Sequence, residues 1–168
     1  MNKQSHLMMW DQQRMRHGIT LRVLDQIPAD KVAAHPIAGM RSVIELVVHM
    51  YLALEFFPKS VLDGSLGGYD EKPILAGITT KDQLIAFVKQ QWAKGDAHAH
   101  AVSDAQLAAI VKTPWGDFPG MAMFGILYDE YLHHRGQLYT FVRAFGTEPV
   151  MLWDFDHNAA EFQPKQHA

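Results

Sequence analysis

The spacing of hydrophobic residues along the chain is that of helices rather than strands. Apolar residues recur every three or four positions through most of the sequence, without sustained two-residue alternation or an Asn-Gly hairpin signal. We predict an all-α fold, a four-helix bundle with a C-terminal tail docked through its aromatic residues. The pattern places four long helices at residues 5–25, 37–62, 81–98 and 119–145. One additional short helix is placed at residues 103–111.

Several helix ends carry recognisable signals. Residues 80–83 and 103–106 both match the capping-box pattern, and Pro119 suits the first position of the last helix. The stretch 63–77 contains four of the twelve glycines. We interpret it as a loop that crosses the molecule or shapes the mouth of a site.

The second helix is apolar on most of its circumference, which is typical of a central helix or a subunit interface. Gly136 lies inside the last helix, where glycine costs about 1 kcal/mol relative to alanine. We therefore predict that another helix approaches closely at Gly136. The sequence shows no internal repeat and no break in composition, so residues 1–168 are interpreted as a single domain.

Composition narrows the possible functions. With 168 residues, 48% of them hydrophobic, the chain can bury a substantial core. It has no cysteine, which excludes disulfides and cysteine nucleophiles and restricts any metal to His, Asp or Glu ligands. A net charge of -3 without basic clusters argues against nucleic acid or membrane partners. No membrane segment or secretory signal is recognised, so a cytoplasmic location is expected.

Ten histidines are the notable excess. Helical projection places His134 in the apolar stripe of the last helix, with Glu130 one turn earlier and also directed towards the core. On the second helix His49 lies on a buried face, and Glu45 stands one turn away. Two interpretations remain open. Either His49, Glu130 and His134 form a three-point metal site, or they are ordinary packed residues with Glu130 and His134 as a satisfied buried pair.

The remaining histidines carry weaker signals. Glu130 and His133 match half of a di-iron bundle motif, but the chain has no second Glu-x-x-His. Five further histidines are interpreted as surface or tail residues: His6, His17, His35, His157 and His167.

Two stretches of the chain resemble the DinB/YfiT-like family of helical-bundle metalloproteins. Residues 133–138 read His-His-Arg-Gly-Gln-Leu and are followed by Arg-Ala-Phe-Gly at 143–146. Residues 41–46, leading into His49, resemble the second helix of that family. The resemblance implies a four-helix bundle, often a homodimer, in which three side chains hold a divalent ion.

The family's usual ligands are one histidine on the second helix and two histidines four residues apart on the last. By position these fall on His49, Glu130 and His134, so the middle ligand departs from the family pattern. One interpretation is a site of two histidines and one carboxylate with a changed preference among zinc, nickel and iron. The other is a degenerate site that no longer binds metal tightly.

Family members with known chemistry include transferases and isomerases that use low-molecular-weight thiols. The resemblance implies a metal-dependent thiol S-transferase or related detoxifying enzyme that acts on small electrophiles. Glu45 would orient His49, while Arg135 or Gln137 would contact a substrate carboxylate or a partner helix. The alternatives are a metal-dependent hydrolase and a non-catalytic, stress-linked, dimeric binding or scaffold bundle.

Overall fold

A computed structural model describes residues 2–163, and six helices and one short hairpin account for most of them. The elements are α1 (Lys3–Asp25), α2 (Val43–Asp63), α3 (Lys72–Gly77), α4 (Lys81–Ala101), α5 (Asp104–Ala108), β1 (Ile110–Thr113), β2 (Gly116–Pro119) and α6 (Gly120–Ala144). The four long helices form the predicted bundle, so the fold class is confirmed. Among the described residues, no helix has both the length and the apolar character that crossing a bilayer requires.

Helix α2 is the most deeply buried of the four long helices. This helix packs against α4 and α6, and α1 packs against the same two helices, so α1 and α2 occupy opposite corners. Most residues of α2 are buried, including Val47, Tyr51 and Leu54. The apolar circumference of this helix is therefore explained by its central position within the subunit.

Capping residues determine where the helices begin. The Ser42 side chain accepts a hydrogen bond from the Glu45 backbone N–H, and the Glu45 carboxylate accepts one from the Ser42 N–H at 2.6 Å. This capping box starts α2 at Val43, so the predicted start at residue 37 was wrong. The capping boxes predicted at Thr80 and Ser103 are both confirmed.

Three short elements, β1, β2 and α3, were not predicted. Strands β1 and β2 pair antiparallel, with Thr113 opposite Gly116 across the turn. Each strand has only four residues, too few for two-residue alternation to be recognised. Helix α3 lies within the stretch that was interpreted as loop, and it has Pro73 in its first turn.

The C-terminal tail lies against α1 through polar groups as well as aromatic ones. The Asn158 side chain donates to the Met15 carbonyl at 2.9 Å, and Arg14 donates to the Glu161 carbonyl at 2.5 Å. The Phe162 ring packs at right angles to the His17 ring of α1, with the centroids 4.9 Å apart. Trp153 is 70% exposed, so the aromatic docking predicted for the tail is wrong at that residue.

Two histidines of α1 are buried rather than exposed. His6 donates from Nε2 to the Ala99 carbonyl at 3.0 Å. His17 pairs its Nδ1 with the Tyr51 hydroxyl at 2.7 Å and stacks on Trp92. Burial lowers the pKa of His17 to about 3. Surface positions were predicted for both residues because α1 has polar side chains on its buried face, which periodicity alone interprets as solvent-facing. Surface positions are confirmed for His35 and His157, which are exposed. His167 lies outside the described residues.

The close approach of helices occurs at other glycines than the one predicted. A Cβ added to Gly136 would meet no atom within 4 Å, so the expected contact at this residue does not exist within the subunit. A Cβ on Gly95 would lie 2.5 Å from the Leu54 carbonyl oxygen. Gly95 is therefore the residue that allows α4 to approach α2 closely.

Candidate metal centre

Three predicted ligand side chains converge between α2 and α6. His49 comes from α2, and Glu130 and His134 come from successive turns of α6. Glu130 Oε2 lies 3.2 Å from His134 Nε2 and 4.0 Å from His49 Nε2. One potential ligand atom from each residue lies within 4.8 Å of the other two.

The donor set and its spacing fit a divalent cation. Ligands at about 2.0–2.1 Å around a tetrahedral zinc ion are roughly 3.3 Å apart. The distance of 3.2 Å already matches that edge, whereas the distance of 4.0 Å and the limit of 4.8 Å for the whole set mean that the side chains would have to draw together around an ion. Two imidazole nitrogens and one carboxylate oxygen are also a ligand set that catalytic zinc sites use.

The other nitrogen of each imidazole is held by an acceptor. His49 Nδ1 lies 2.5 Å from Glu71 Oε1, and His134 Nδ1 lies 2.8 Å from Gln137 Oε1. Because these oxygens accept, each Nδ1 carries a proton, and in a neutral imidazole Nε2 then has its lone pair free for the centre. Both histidines are thus in the tautomer that ligation through Nε2 requires.

The three side chains differ in their access to solvent. The His134 side chain is 12% exposed, while that of Glu130 is 44% exposed. Burial lowers the pKa of His134 despite the opposing hydrogen bond to Gln137, so this imidazole is neutral at pH 7. The prediction that Glu130 is directed into the core was wrong, because its carboxylate lies where a cavity opens beside α6. The carboxylate therefore keeps part of its hydration, and its presence does not by itself require a cation.

Two predicted accessory residues have other roles. The Glu45 carboxylate caps α2 and does not orient His49. Arg135 is buried, donates to the Leu152 carbonyl at 2.9 Å and lies over the Tyr139 ring. It holds the tail against α6 and is not placed to contact a substrate.

Glu71 is a site residue that the sequence analysis missed. It immediately precedes α3, and its second oxygen accepts from Arg41 at 2.8 Å. Burial acts to raise the pKa of Glu71, but the hydrogen bonds from His49 and Arg41 outweigh it and lower that pKa. The available signal was weak, an acidic residue in a segment predicted to shape a site mouth.

A cavity of about 560 Å³ opens beside His49 and Glu130. Helix α2 contributes one wall, α6 a second, and the segment after α2 and the hairpin turn contribute the rest. Apart from those two residues the lining is largely apolar and aromatic, formed by Ala53, Phe57, Leu66, Tyr69, Trp115 and Ile126. The interpretation that the glycine-rich segment shapes a site mouth is thus confirmed at Leu66 and Tyr69.

Tyr69 is fixed against α2 within this lining. Its ring stacks on Phe56 with the centroids 5.0 Å apart. Burial and the carboxylates of Glu71 and Glu130 raise the pKa of Tyr69 to about 12. The phenol therefore stays protonated and neutral at physiological pH.

Comparison with known proteins agrees with this architecture. A family model described as the DinB superfamily matches residues 11–138. The chain belongs to the DinB superfamily. Among solved structures, a DinB-like protein from Bacillus subtilis is 22% identical with a TM-score of 0.68, covering 82% of this chain and 91% of its own. A protein from Exiguobacterium sibiricum that is assigned to the DinB family is 24% identical with a TM-score of 0.57, and the match covers 87% of this chain and 97% of the other. No curated protein matches the chain.

In this DinB-superfamily chain the three side chains approach a shared centre from two helices only. Three ligands on one side of an ion leave coordination positions free on the other side. The cavity adjoins His49 and Glu130, so a small molecule in it can reach those free positions. The arrangement is therefore suited to bind a cation and a ligand of that cation together.

Proposed function

We propose that this protein is a metal-dependent enzyme that transfers a low-molecular-weight thiol to a small electrophile. His49, Glu130 and His134 hold the divalent cation, for which zinc is the first choice. The observation that carries the proposal is the convergence of His49, Glu130 and His134 beside an apolar cavity, with one ligand atom of each residue within 4.8 Å of the other two. The hydrogen bonds of both Nδ1 atoms support it, because metal-ligating histidines regularly donate their other ring N–H to an acceptor.

Each residue has a defined part in this function. A bound divalent cation supplies Lewis acidity, which lowers the pKa of a coordinated thiol or water. Glu71 and Gln137 keep the Nδ1 protons of His49 and His134, which directs both lone pairs to one point. The apolar walls reduce the water beside the reacting atoms, which favours attack by a thiol over hydrolysis.

The first prediction concerns metal binding. Protein purified without an affinity tag, stripped with EDTA and titrated with zinc is expected to bind one equivalent. His134→Ala removes a ligand and should abolish stoichiometric binding. His100→Ala is the matched control, because His100 is an exposed histidine on α4 that hydrogen-bonds within its own helix, so binding should be unchanged.

The same preparations test the reaction. Zinc-loaded protein should conjugate 1-chloro-2,4-dinitrobenzene with at least one of a panel of small thiols that includes glutathione and cysteine. Turnover that continues without added thiol would instead indicate a hydrolase. If no stoichiometric metal binds and His134→Ala leaves the melting temperature unchanged, the proposal fails and a non-catalytic bundle is favoured.

A further inference from the structure

We infer that the cavity beside the three donors takes a flat apolar molecule with no negative charge, so that the electrophile is a neutral aromatic or similarly planar compound. That the bound molecule is an electrophile rests on the proposed function. The binding preference itself depends only on the walls of the cavity.

The cavity has a polar end and an apolar end. His49, Ala53 and Phe57 follow one another at four-residue intervals, so they line one face of α2 over about 12 Å. Ile126 and Glu130 are spaced in the same way on α6 and form the facing wall. The donors thus lie at one end, and Phe57 lies two helical turns away from His49.

Aromatic rings gather at the apolar end. The Phe57 and Trp115 ring centroids are 6.4 Å apart, and Trp115 is 56% exposed on the hairpin turn. An exposed tryptophan beside a buried phenylalanine has ring surface available, and a planar ligand would remove that surface from water. The neighbouring Gly67 and Gly68 contribute no side chains, which leaves room along this wall.

The charges of the lining disfavour an anion. Among the residues that line the cavity in the described part of the chain, none is a lysine or arginine, and Glu130 is a carboxylate. The nearby Arg41 already pairs with Glu71 at 2.8 Å. An anionic group at the apolar end, two helical turns from the donors, would therefore lose its hydration without gaining a cationic partner from the protein.

The volume suits a small molecule of two fused rings. About 560 Å³ lies within the range of roughly 300–1,000 Å³ that small-molecule sites occupy. A ligand of this size can reach from the rings at Phe57 and Trp115 towards His49. Its functional group would then lie at the polar end, beside the proposed cation.

The experiment compares two probes of the same shape and different charge. Calorimetric titration of EDTA-stripped protein at pH 7.5 uses 2-naphthalenemethanol as the neutral probe and 2-naphthoate as the anionic one. We expect the neutral probe to bind about tenfold more tightly or better. Trp115→Ala should weaken its binding about tenfold, whereas Trp153→Ala, which removes an even more exposed tryptophan away from the cavity, should have no effect.

Equal affinity for the two probes, or an unchanged affinity in Trp115→Ala, would overturn the inference. Because the protein in this titration is stripped of metal, the result does not depend on the proposed cation. Failure to bind zinc with normal probe binding would reject the proposed function alone. Normal zinc binding with failure of the probe preference would reject the inference alone.

Discussion

Glu71 connects the candidate metal centre to the segment between α2 and α4. It accepts from His49 Nδ1 through one oxygen and from Arg41 through the other. A carboxylate in this position fixes the ring orientation and increases the basicity of the opposite nitrogen. The residue therefore acts through His49, and its effect should be visible in metal affinity.

The second prediction follows from this arrangement. Glu71→Ala is expected to weaken zinc binding about 10- to 100-fold, because loss of such an outer partner typically has that effect. Glu71→Gln should be intermediate, since its amide oxygen can still accept from Nδ1. Zinc affinity is measured by competition with a chromogenic chelator.

Glu45→Gln is the matched control for Glu71. Glutamine preserves the capping box at the start of α2, so the helix and the zinc affinity should both remain as in the wild type. If Glu45→Gln weakened zinc binding as much as Glu71→Ala does, the assignment of Glu71 as the partner of His49 would be wrong.

At this scale, helical periodicity explains which site residues could be predicted. Glu130 and His134 are four residues apart, which places them on one face of any helix. His49 required only the expectation that a second apolar helix packs nearby. Glu71 could not be found in the same way, because its position depends on how an irregular segment folds back over α2.

Among the elements, α2 and α4 approach each other most closely at a small residue. At Gly95 the two helix backbones lie so close that an added Cβ would be 2.5 Å from the Leu54 carbonyl oxygen. Gly136 is the matched case without such a contact, since an added Cβ there would meet nothing within 4 Å. The two glycines permit a direct comparison within one protein.

The third prediction uses this pair. Gly95→Ala is expected to destabilise the protein by about 1–3 kcal/mol, because the new methyl group forces the helices apart. Gly136→Ala should be neutral or stabilising by up to about 1 kcal/mol, since alanine favours the helical backbone. Urea denaturation monitored by circular dichroism measures both. Equal destabilisation by the two substitutions would contradict this account of α2 and α4.

The elements also show where local sequence signals suffice. The capping boxes at Thr80 and Ser103 were predicted because a few adjacent residues form the whole motif. The hairpin was missed because strands of four residues have little periodicity of their own. Its register depends on pairing across the turn, which hydrophobic periodicity along the chain does not reveal.

For the molecule as a whole, buried His17 links stability to pH. Its pKa is about 3 in the folded protein, against about 6.5 for an exposed histidine. Between these values the unfolded chain binds a proton that the folded chain does not. The stabilisation is complete above pH 6.5 and is lost as the pH falls towards 3.

The fourth prediction is a slope. Between pH 6.5 and 5 the free energy of unfolding should fall by up to about 1.4 kcal/mol per pH unit through His17. His17→Phe should flatten this dependence, although it also loses the hydrogen bond to Tyr51. The exposed variant His35→Gln should retain the wild-type slope. An unchanged slope in His17→Phe would show that His17 is protonated in the folded state.

The attachment of the tail to α1 has a consequence for biosynthesis. The bond from Asn158 to the Met15 carbonyl spans 143 residues of sequence, and the bond from Arg14 to the Glu161 carbonyl spans 147. Translation proceeds from the N-terminus, so α1 emerges from the ribosome long before the residues that cover it. In the nascent bundle one side of the His17 ring stays uncovered until Phe162 has been synthesised. The fold is therefore completed only after residues 158–162 have left the ribosome.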